Sequence, residues 1–231
     1  MSYINLSKRL NAAADFAIPG KKILDIGSDH SYLPIYLVQQ EVVPSAVAGE
    51  VVQGPYTKAL EQVAMHQLEK KIDVRFGDGF EVLEETEEVG TIFICGMGGL
   101  LISDIINEGL KDNKISKSAQ LVLQPNNAEK ELRNVLVDNQ FKISSETIVE
   151  ENNKIYEVIV AEYTEEKVNY TDIEFIFGPE QLKERSSLFL KKWRLTLEKN
   201  ERILKQLENT KNTEKIEELR KKNQQIEKVI A

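Results

Sequence analysis

The sequence predicts an α/β fold, a doubly wound and largely parallel sheet of seven strands, followed by a C-terminal α-helical hairpin. Through residue 163, short apolar runs of strand length alternate with segments of helical periodicity. From 180 to 231 the periodicity is helical, without any glycine or proline, and a polar stretch at 208–213 divides it into two helices. Alternating strands and helices are typical of parallel sheets with crossover helices. We expect a sheet domain at 1–163, a linker at 164–178 and a helical coiled-coil domain at 179–231.

Seven short apolar runs make up the predicted sheet. They are separated by segments in which apolar residues recur every three or four positions, the spacing of an amphipathic helix. The predicted strands are 23–26, 45–50, 72–76, 91–95, 119–123, 141–149 and 154–163. The predicted helices of this part are 4–17, 31–40, 53–68, 100–108 and 128–138. A hairpin-like turn at 150–153 joins the last two strands and predicts antiparallel pairing at one edge.

The composition indicates a soluble globular protein. Of the 231 residues, 41% are apolar and 29% are charged, and no apolar run approaches the roughly 20 residues of a membrane-spanning helix. The start of the sequence lacks the basic and then apolar pattern of a signal peptide. One cysteine, Cys95, excludes an internal disulfide, and with two histidines it is too little for a zinc site. We expect a cytoplasmic protein with no metal and no membrane association.

The charge is distributed unevenly along the chain. Of the 30 basic and 38 acidic residues, 14 and 9 fall in 178–231, which leaves 16 and 29 in 1–177. A basic tail on an acidic body suggests an anionic partner for the tail, although a solvated helical face is the alternative interpretation. The basic residues that we expect to contact phosphates are Lys183, Arg185, Lys191, Lys192 and Arg194. Lys8 and Arg9, on the N-terminal helix, are further candidates or else plain surface charges.

The stretch Asp25-Ile26-Gly27-Ser28-Asp29-His30 links the first predicted strand to the helix that follows. A strand, a glycine turn and a helix together offer backbone N–H groups to a ligand. Here the turn is acidic, which suits a cationic, polyhydroxyl ligand such as S-adenosylmethionine better than a pyrophosphate. An NAD site would require the pattern G-x-G-x-x-G, whose later glycines are missing. An ordinary strand-to-helix turn with a solvated aspartate remains an alternative.

Further polar residues follow the other predicted strands. The carboxyl ends of parallel strands meet at one edge of the sheet, where ligands bind, so these residues should converge. Glu50 is placed to accept the hydroxyls of a ribose. Asp78 is placed to accept the adenine amino group beside the backbone of Gly79, and Asp25 with Asp29 to hold an ammonium. We predict that the cofactor contacts Asp25, Gly27, Ser28, Glu50, Val51, Asp78, Gly79, Gly96 and Met97.

Two glycine- and amide-rich stretches are expected to form the acceptor side of the site. Cys95-Gly96-Met97-Gly98-Gly99 follows the fourth strand, and Gln124-Pro125-Asn126-Asn127 follows the fifth. Glycines let a ligand approach the backbone, and amides hydrogen-bond to the edge of a base. The alternative is a glycine-rich entry to a helix, with Met97 as a core residue. Cys95 is interpreted as a small buried residue rather than a nucleophile.

Together these motifs resemble the bacterial tRNA (adenine-22-N1)-methyltransferase family. The resemblance rests on Leu6-Ser7-Lys8-Arg9-Leu10, Asp25-Ile26-Gly27-Ser28-Asp29-His30-Ser31-Tyr32-Leu33-Pro34, Ile94-Cys95-Gly96-Met97-Gly98-Gly99, Gln124-Pro125-Asn126 and Phe177-Gly178-Pro179. It implies a class I, Rossmann-like methyltransferase domain with a C-terminal coiled coil. It also implies methyl transfer from S-adenosylmethionine to N1 of adenine 22 in folded tRNA, by a monomer. The absence of an Asn/Asp-Pro-Pro-Tyr/Phe motif after the fourth strand favours a ring nitrogen over an exocyclic amine.

The chemistry of N1 methylation assigns roles to four residues. Asp29 would stabilise the positive charge that develops on the base, or take a proton from N6. His30 and Tyr32 would orient the base or stack on it, with a helix-start histidine as the alternative for His30. Asn126 would read the edge of the adenine. Other hypotheses are a methyltransferase acting on rRNA or protein, and a non-catalytic S-adenosylmethionine-binding scaffold whose helical arm binds a protein.

Overall fold

The structure, a computed structural model, describes residues 4–207 and 212–231. It divides into two compact units, Met1–Glu180 and Gln181–Ala231. None of the helices in the described part is long and apolar enough to cross a membrane. Most of the predicted polar break at 208–213 lies outside the described residues.

The first unit contains one seven-stranded sheet, as the sequence predicts. The strands are β1 Ile23–Ile26, β2 Ala46–Glu50, β3 Ile72–Phe76, β4 Thr91–Met97, β5 Gln120–Pro125, β6 Phe141–Glu151 and β7 Lys154–Tyr163. Their spatial order is β3-β2-β1-β4-β5-β7-β6. Strands β1 to β5 pair in parallel, and β7 pairs antiparallel with both β5 and β6. The order reverses at β1, so the crevice beyond β1 and β4 is where ligands bind in such sheets.

Helices cover both faces of this sheet. They are α1 Lys8–Ala14, α2 Tyr32–Gln39, α3 Gln53–Met65, α4 Gly99–Lys111, α5 Glu129–Asp138 and α6 Asp172–Phe177. Side chains alternate along β1, so Leu24 packs in one apolar cluster with Ile102 of α4, while Ile23 packs in the other with Ile35 of α2. All four residues of β1 are buried. This double coverage explains why the parallel strands are near-continuous apolar runs.

The first predicted helix, at 4–17, is shorter in the structure. Helix α1 begins only at Lys8, because the hydroxyl of Ser7 caps it by accepting a hydrogen bond from Leu10 N at 3.4 Å. Leu6 and Phe16 lie outside the helix, yet both pack against the apolar cluster on that face. The apolar periodicity therefore predicted correctly which residues pack against the core, but it predicted a helix that is too long.

The segment predicted as a linker, 164–178, belongs to the first unit. It contains α6, whose last residue, Phe177, is buried in full. Gly178 follows with a φ of +87°, and a Cβ built there would lie 2.5 Å from Glu146 Oε2. Only glycine fits this close approach, which accounts for the Phe177-Gly178-Pro179 motif. The first unit consequently extends to Glu180 instead of ending at 163, and the second begins two residues after the predicted start at 179.

The second unit is helical, as expected. Its helices are α7 Pro179–Glu184, which begins before the unit boundary, α8 Ser187–Leu207 and α9 Thr213–Ile230. The predicted uninterrupted helix breaks at Arg185, whose φ is +48°. Asn200 of α8 donates a buried hydrogen bond to Asn223 of α9 at 2.8 Å, and Arg185 Nη2 donates to Val229 O at 2.5 Å. These pairings run in opposite directions along the two helices, so α8 and α9 form an antiparallel hairpin, while a heptad-type coiled coil stays a prediction.

Candidate active site

A cavity of about 610 Å³ opens at the carboxyl ends of β1, β2 and β4. The turn after β1 and the residues after β2 and β4 line it, together with five residues near the start of the chain: Asn5, Leu6, Ser7, Arg9 and Leu10. The predicted site residues that line it are Asp25, Gly27, Ser28, Asp29, Tyr32, Glu50, Val51, Gly96, Met97 and Arg9. The predicted convergence of the strand-end motifs is thereby confirmed for β1, β2 and β4.

Backbone hydrogen bonds to β2 hold the turn after β1 in place. Gly27 has a φ of +69°, and a Cβ on it would lie 2.0 Å from the Met97 side chain. The N–H groups of Gly27 and Ser28 both donate to Gly49 O, at 2.9 and 3.0 Å. His30 and Ser31 also have positive φ, 62° and 56°, before α2 begins. The missing side chain at Gly27 thus brings the ends of β1 and β4 together.

Asp25 is a buried acid at the floor of the cavity. It is 5% exposed, and its Oδ2 accepts a hydrogen bond from Ser28 Oγ at 2.5 Å. Burial raises the pKa of Asp25 to about 7; the bond from Ser28 lowers this pKa and the charge of Glu50 raises it. A ligand cation placed beside Asp25 would stabilise the ionised carboxylate.

Glu50 is the second buried acid, 7% exposed. Its Oε1 accepts hydrogen bonds from the N–H groups of Val51 and Val52, at 3.0 and 2.9 Å. These bonds fix the carboxylate at the end of β2. A ligand with two neighbouring hydroxyl groups, such as a ribose, would donate its hydrogen bonds to the other carboxylate oxygen, Oε2.

The end of β4 is shaped by a bulge at Gly96. The register between β4 and β5 shifts there, and Gly96 has a φ of +80°. Asn126 Nδ2 donates to Gly96 O at 2.7 Å. Asn126 is exposed, and this bond gives it a part in holding the bulge. Its predicted reading of the adenine edge stays a prediction.

The three residues that follow the glycine turn lie at the cavity mouth. Asp29 is exposed, with 77% of its side chain accessible, and its Oδ1 lies 3.2 Å from His30 Nε2. The His30 and Tyr32 rings have centroids 5.4 Å apart. Asp29 and Tyr32 line the cavity, whereas His30 is not among its lining residues. Of the four predicted catalytic residues, Asp29 and Tyr32 are therefore the two that line the cavity.

Asp78 and Gly79 do not line this cavity. Asp78 forms a capping box with Glu81 around the short turn Gly79–Val82, and its N–H donates to Glu81 Oε2 at 3.3 Å. The adjoining depression is lined by Asp78, Phe80 and Glu108. Asp78 therefore lies outside the lining of the shared cavity, and its predicted contact with the adenine amino group stays a prediction.

Cys95 lines the cavity, and its side chain is a protonated thiol, which is a poor nucleophile. Burial raises its pKa far above the usual range, and the charge of Asp25 raises it further. Within residues 4–207 and 212–231, no group of three or more acidic, histidine or cysteine side chains is placed to hold a metal ion. The site therefore offers acids, backbone groups and one guanidinium for binding.

The predicted phosphate contacts fall into two groups. Lys8 is exposed, whereas Arg9 lines the cavity and donates from Nη1 to Gln124 Oε1 at 2.7 Å. On the second unit, Lys183, Lys191 and Arg194 are exposed. Lys192 Nζ lies 5.5 Å from the Trp193 ring centroid, and Arg185 Nη2 donates to Val229 O near the end of α9.

Several cavity residues were absent from the sequence-based site. They include Val52 and Leu101. Val52 and Leu101 are large apolar side chains that are half exposed. Such positions can be found in a sequence as apolar residues that closely follow an acid or a run of glycines at the end of a strand. The sequence analysis used this signal only for Val51.

The residues present fit S-adenosylmethionine. Among the described residues, the structure records no ion pair for Asp25 or Glu50, so two buried acids face a cavity without a neutralising lysine or arginine bonded to them. A sulfonium and an ammonium match such acids, and a ribose diol matches Glu50. A pyrophosphate would be repelled by the same charges.

Comparisons with known proteins identify the family. A family model described as tRNA (adenine(22)-N(1))-methyltransferase matches residues 23–228. The Bacillus subtilis protein of that name is 38% identical over 100% of this chain and 99% of its own length. Streptococcus pneumoniae Sp1610, solved in complex with S-adenosyl-L-methionine, is 42% identical with a TM-score of 0.90, over 98% of this chain and 100% of that one. M. capricolum TrmK, solved with S-adenosyl-homocysteine, is 29% identical with a TM-score of 0.86, over 97% of each chain. Because these matches extend over nearly the whole sequence, the chain belongs to the tRNA (adenine(22)-N(1))-methyltransferase family.

Proposed function

We propose that this chain is a tRNA methyltransferase that transfers the methyl group of S-adenosylmethionine to N1 of adenine 22, giving 1-methyladenosine. The proposal is carried by one observation: the family model and the Bacillus subtilis relative match nearly the full chain, including both the sheet domain and the C-terminal helices. The acid-lined cavity at the switch point of the sheet supports it independently, because its charges suit this cofactor.

The cofactor would supply an electrophilic methyl group on a sulfonium. Glu50 would accept the ribose hydroxyls, and Asp25 would pair with the ammonium. The absence of a side chain at Gly27 and at Gly96 leaves room for Met97 and Arg9, which line the cavity. These contacts orient the cofactor so that the acceptor nitrogen approaches from the side of the cavity mouth.

The acceptor is a neutral lone pair that becomes a cation. N1 lies on the pairing edge of adenine, so the base must be unpaired or flipped out before transfer. Asp29, exposed at the mouth, would stabilise the developing charge or accept a proton from N6. Tyr32, 38% exposed beside it, would stack on the base.

Methyl transfer from labelled S-adenosylmethionine to unmodified tRNA, followed by nucleoside analysis, tests this function. We expect label in 1-methyladenosine with the wild-type transcript and none with a transcript that carries guanine at position 22. Asp29→Ala should lower kcat while leaving cofactor affinity close to that of the wild type.

The other hypotheses predict different results in the same assay. Label that survives the change at position 22 would indicate another acceptor site. Cofactor binding without any label in tRNA would favour rRNA or protein as the acceptor, or a non-catalytic scaffold. Either result would contradict the proposal.

The helical unit would contribute the grip on tRNA phosphates. Lys191 and Arg194 are exposed on α8, three positions apart on one face. Reversing both to glutamate should raise the KM for tRNA, reduce the salt dependence of binding and leave the Kd of the cofactor unchanged. The matched control reverses the exposed Lys221 and Lys228 of α9. Equal losses from both pairs would contradict the assignment of the grip to α8.

We also propose a cytoplasmic monomer. A tRNA acceptor is found in the cytoplasm, and a single cysteine fits that reducing compartment. Sedimentation of the free protein and of its complex with one tRNA tests the stoichiometry. A mass twice that of the 26.3 kDa chain would contradict the monomer.

A further inference from the structure

The β6–β7 hairpin extends past the neighbouring strand β5. β7 pairs with β5 only over residues 159–162, whereas it pairs with β6 up to its own first residue, Lys154. At about 3.3 Å per residue, residues 154–158 of β7 continue for roughly 16 Å past Leu123, the last residue of β5 in that pairing. Only two further residues of β5 follow. The hairpin tip, which we define as residues 150–154, therefore projects beyond the end of β5.

The hairpin tip lies at the same edge of the sheet as the cavity. β5 runs parallel to β4, whose carboxyl end lines the cavity, and β7 is the next strand beyond β5. With strands roughly 4.8 Å apart, β7 lies about 10 Å from β4 across the sheet. A base that enters the cavity carries its ribose and phosphates across the cavity mouth. The hairpin tip is therefore placed to meet the backbone of that nucleotide or of its neighbour.

Contacts with the N-terminal helix hold the hairpin tip in place. Glu151 Oε1 accepts a hydrogen bond at 2.6 Å from the backbone N–H of Lys8, the first residue of α1. Glu151 Oε2 lies 3.5 Å from Arg9 Nε, and Arg9 Cζ lies 5.7 Å from the ring centroid of Tyr156 in β7. The charge of Glu151 is thus paired within the protein. The hairpin tip and the start of α1 form one continuous surface.

The side chains exposed on this surface are basic or carry amides. Lys8 and Lys154 are exposed, and the structure records no hydrogen bond or ion pair of their side chains with any described residue. Asn152 and Asn153 are exposed between the two strands, with φ values of 50° and 61°, as in a tight two-residue hairpin turn. The surrounding part of the chain is acidic, with 16 basic and 29 acidic residues in 1–177. Two unpaired lysines beside two amides suit a phosphodiester backbone.

We propose that the hairpin tip and Lys8 bind the RNA backbone next to the target adenine. The inference rests on the proposed function, because it takes a tRNA adenine as the base that enters the cavity. Lys8 and Lys154 each neutralise a phosphate, and Asn152 and Asn153 donate hydrogen bonds to phosphate or ribose oxygens. This contact is separate from the one assigned to α8, since it acts on the nucleotides beside the reacting base. Holding their backbone opposes the return of a flipped adenine to its stack.

Photo-cross-linking from the hairpin tip tests the position of the RNA. Asn153 of the full-length protein is replaced by p-benzoylphenylalanine, and unmodified tRNA is bound in the presence of S-adenosylhomocysteine, which allows no methyl transfer. After irradiation, reverse transcription maps the linked nucleotide, which we expect within a few nucleotides of position 22. The matched control carries the same photoreactive residue at Lys142, which is exposed at the opposite end of β6, and should give no link to that region.

The salt dependence of tRNA binding tests the two phosphate contacts. Lys8→Gln and Lys154→Gln should each raise the Kd of tRNA and lower the slope of log Kd against log salt concentration by about 1. The Kd of S-adenosylhomocysteine should stay that of the wild type in both variants. Lys142→Gln, the matched control, should behave as the wild type in both titrations.

Each other outcome would overturn the inference. Links from position 153 only to nucleotides remote from position 22, or no link from bound tRNA, would place the RNA elsewhere, even if 1-methyladenosine forms normally. Unchanged salt slopes in both lysine variants would remove the phosphate contacts, and an equal change in Lys142→Gln would indicate a general effect of charge. By contrast, links beside position 22 in a protein that forms no 1-methyladenosine would leave this inference standing and overturn the proposed function.

Discussion

Asp25 and Glu50 form one pair of buried acids in the sheet unit, and Glu146 and Glu157 form another. The second pair surrounds Arg133, which is 0% exposed. Arg133 Nε donates to Glu146 Oε1 at 2.8 Å, and Nη2 contacts both Glu146 and Glu157. Two acids and one cation, with further bonds to the backbone of Phe175 and Glu180, satisfy one another inside the protein.

The first pair has no such cation bonded to it. Asp25 has a hydroxyl partner and Glu50 has two backbone N–H partners, and the structure records no ion pair for either among the described residues. Burying an acid without a counter-charge is costly, and the raised pKa of Asp25 reflects that cost. We infer that buried acids whose charge is paired within the protein stabilise the fold, and we call Glu146 and Glu157 the complete pair. Buried acids without a counter-charge are suited to bind a ligand, and we call Asp25 and Glu50 the incomplete pair.

The largest expected effect comes from breaking the complete cluster. Arg133→Met should lower the free energy of unfolding by about 3–5 kcal/mol, because it leaves two buried carboxylates without their cation. Urea denaturation of both proteins measures the difference.

Two further variants sharpen this test. Adding Glu146→Gln and Glu157→Gln to Arg133→Met should recover much of the loss, because no uncompensated charge then remains. Arg202→Met is the matched control, since that arginine is exposed on α8 and pairs with Glu198 at 3.6 Å. Its cost should stay below about 1 kcal/mol. A similar cost for Arg133 and Arg202 would remove the distinction between the clusters.

A smaller effect, in the opposite direction, is expected at the incomplete pair. Asp25→Asn should leave the free energy of unfolding unchanged or raise it slightly, because it removes a buried acid without a counter-charge. The same change should weaken binding of S-adenosylhomocysteine by about 10- to 100-fold, since the ammonium loses its carboxylate partner. Denaturation and calorimetry on the same sample separate the two effects.

Asp112→Asn is the control for this substitution. Asp112 is exposed and lies outside the cavity, so its variant should match the wild type in both measurements. If Asp25→Asn destabilised the protein as strongly as Arg133→Met, the carboxylate of Asp25 would be a structural group and the comparison would fail.

The sequence predicted the incomplete pair and missed the complete one. Asp25 and Glu50 each end a strand, and the rule that parallel strand ends converge is sufficient to bring them together. Arg133 lies in a helix, 13 and 24 positions from its partners. A charged residue on an amphipathic helix is ordinarily solvated, so no local pattern marks it as buried.

Arg9 and Asp78 are two further residues whose side-chain contacts the sequence did not predict. The bond of Arg9 to Gln124 spans 115 positions, so the sequence suggested a surface cation where the structure has a cavity residue. Asp78 was placed correctly at a strand end, but a local capping box decides its direction. Periodicity and strand order predict where the backbone goes, whereas the final contacts of a side chain depend on partners that only the folded chain brings close.

The smallest expected effect is the pH dependence that Asp25 contributes. The unfolded carboxyl has a pKa of 3.8 and burial raises it to about 7. The folded protein therefore holds this proton between pH 4 and 7, and the contribution of Asp25 to stability falls as pH rises through that window. Ligand binding has the opposite sign, because the ammonium pairs with the ionised form. Affinity for S-adenosylhomocysteine should rise by up to about tenfold per pH unit below pH 7.

Above that range the ligand sets the limit. Its α-amino group loses a proton in the alkaline range, so affinity should fall again there. Asp25→Asn should abolish the acidic limb and keep the alkaline one, while Arg133→Met should keep both. An acidic limb that persists in Asp25→Asn would assign the titration to another group and would detach the buried acid of β1 from the ligand. Calorimetry between pH 5.5 and 9, with buffers of different ionisation enthalpy, counts the proton that Asp25 releases on binding.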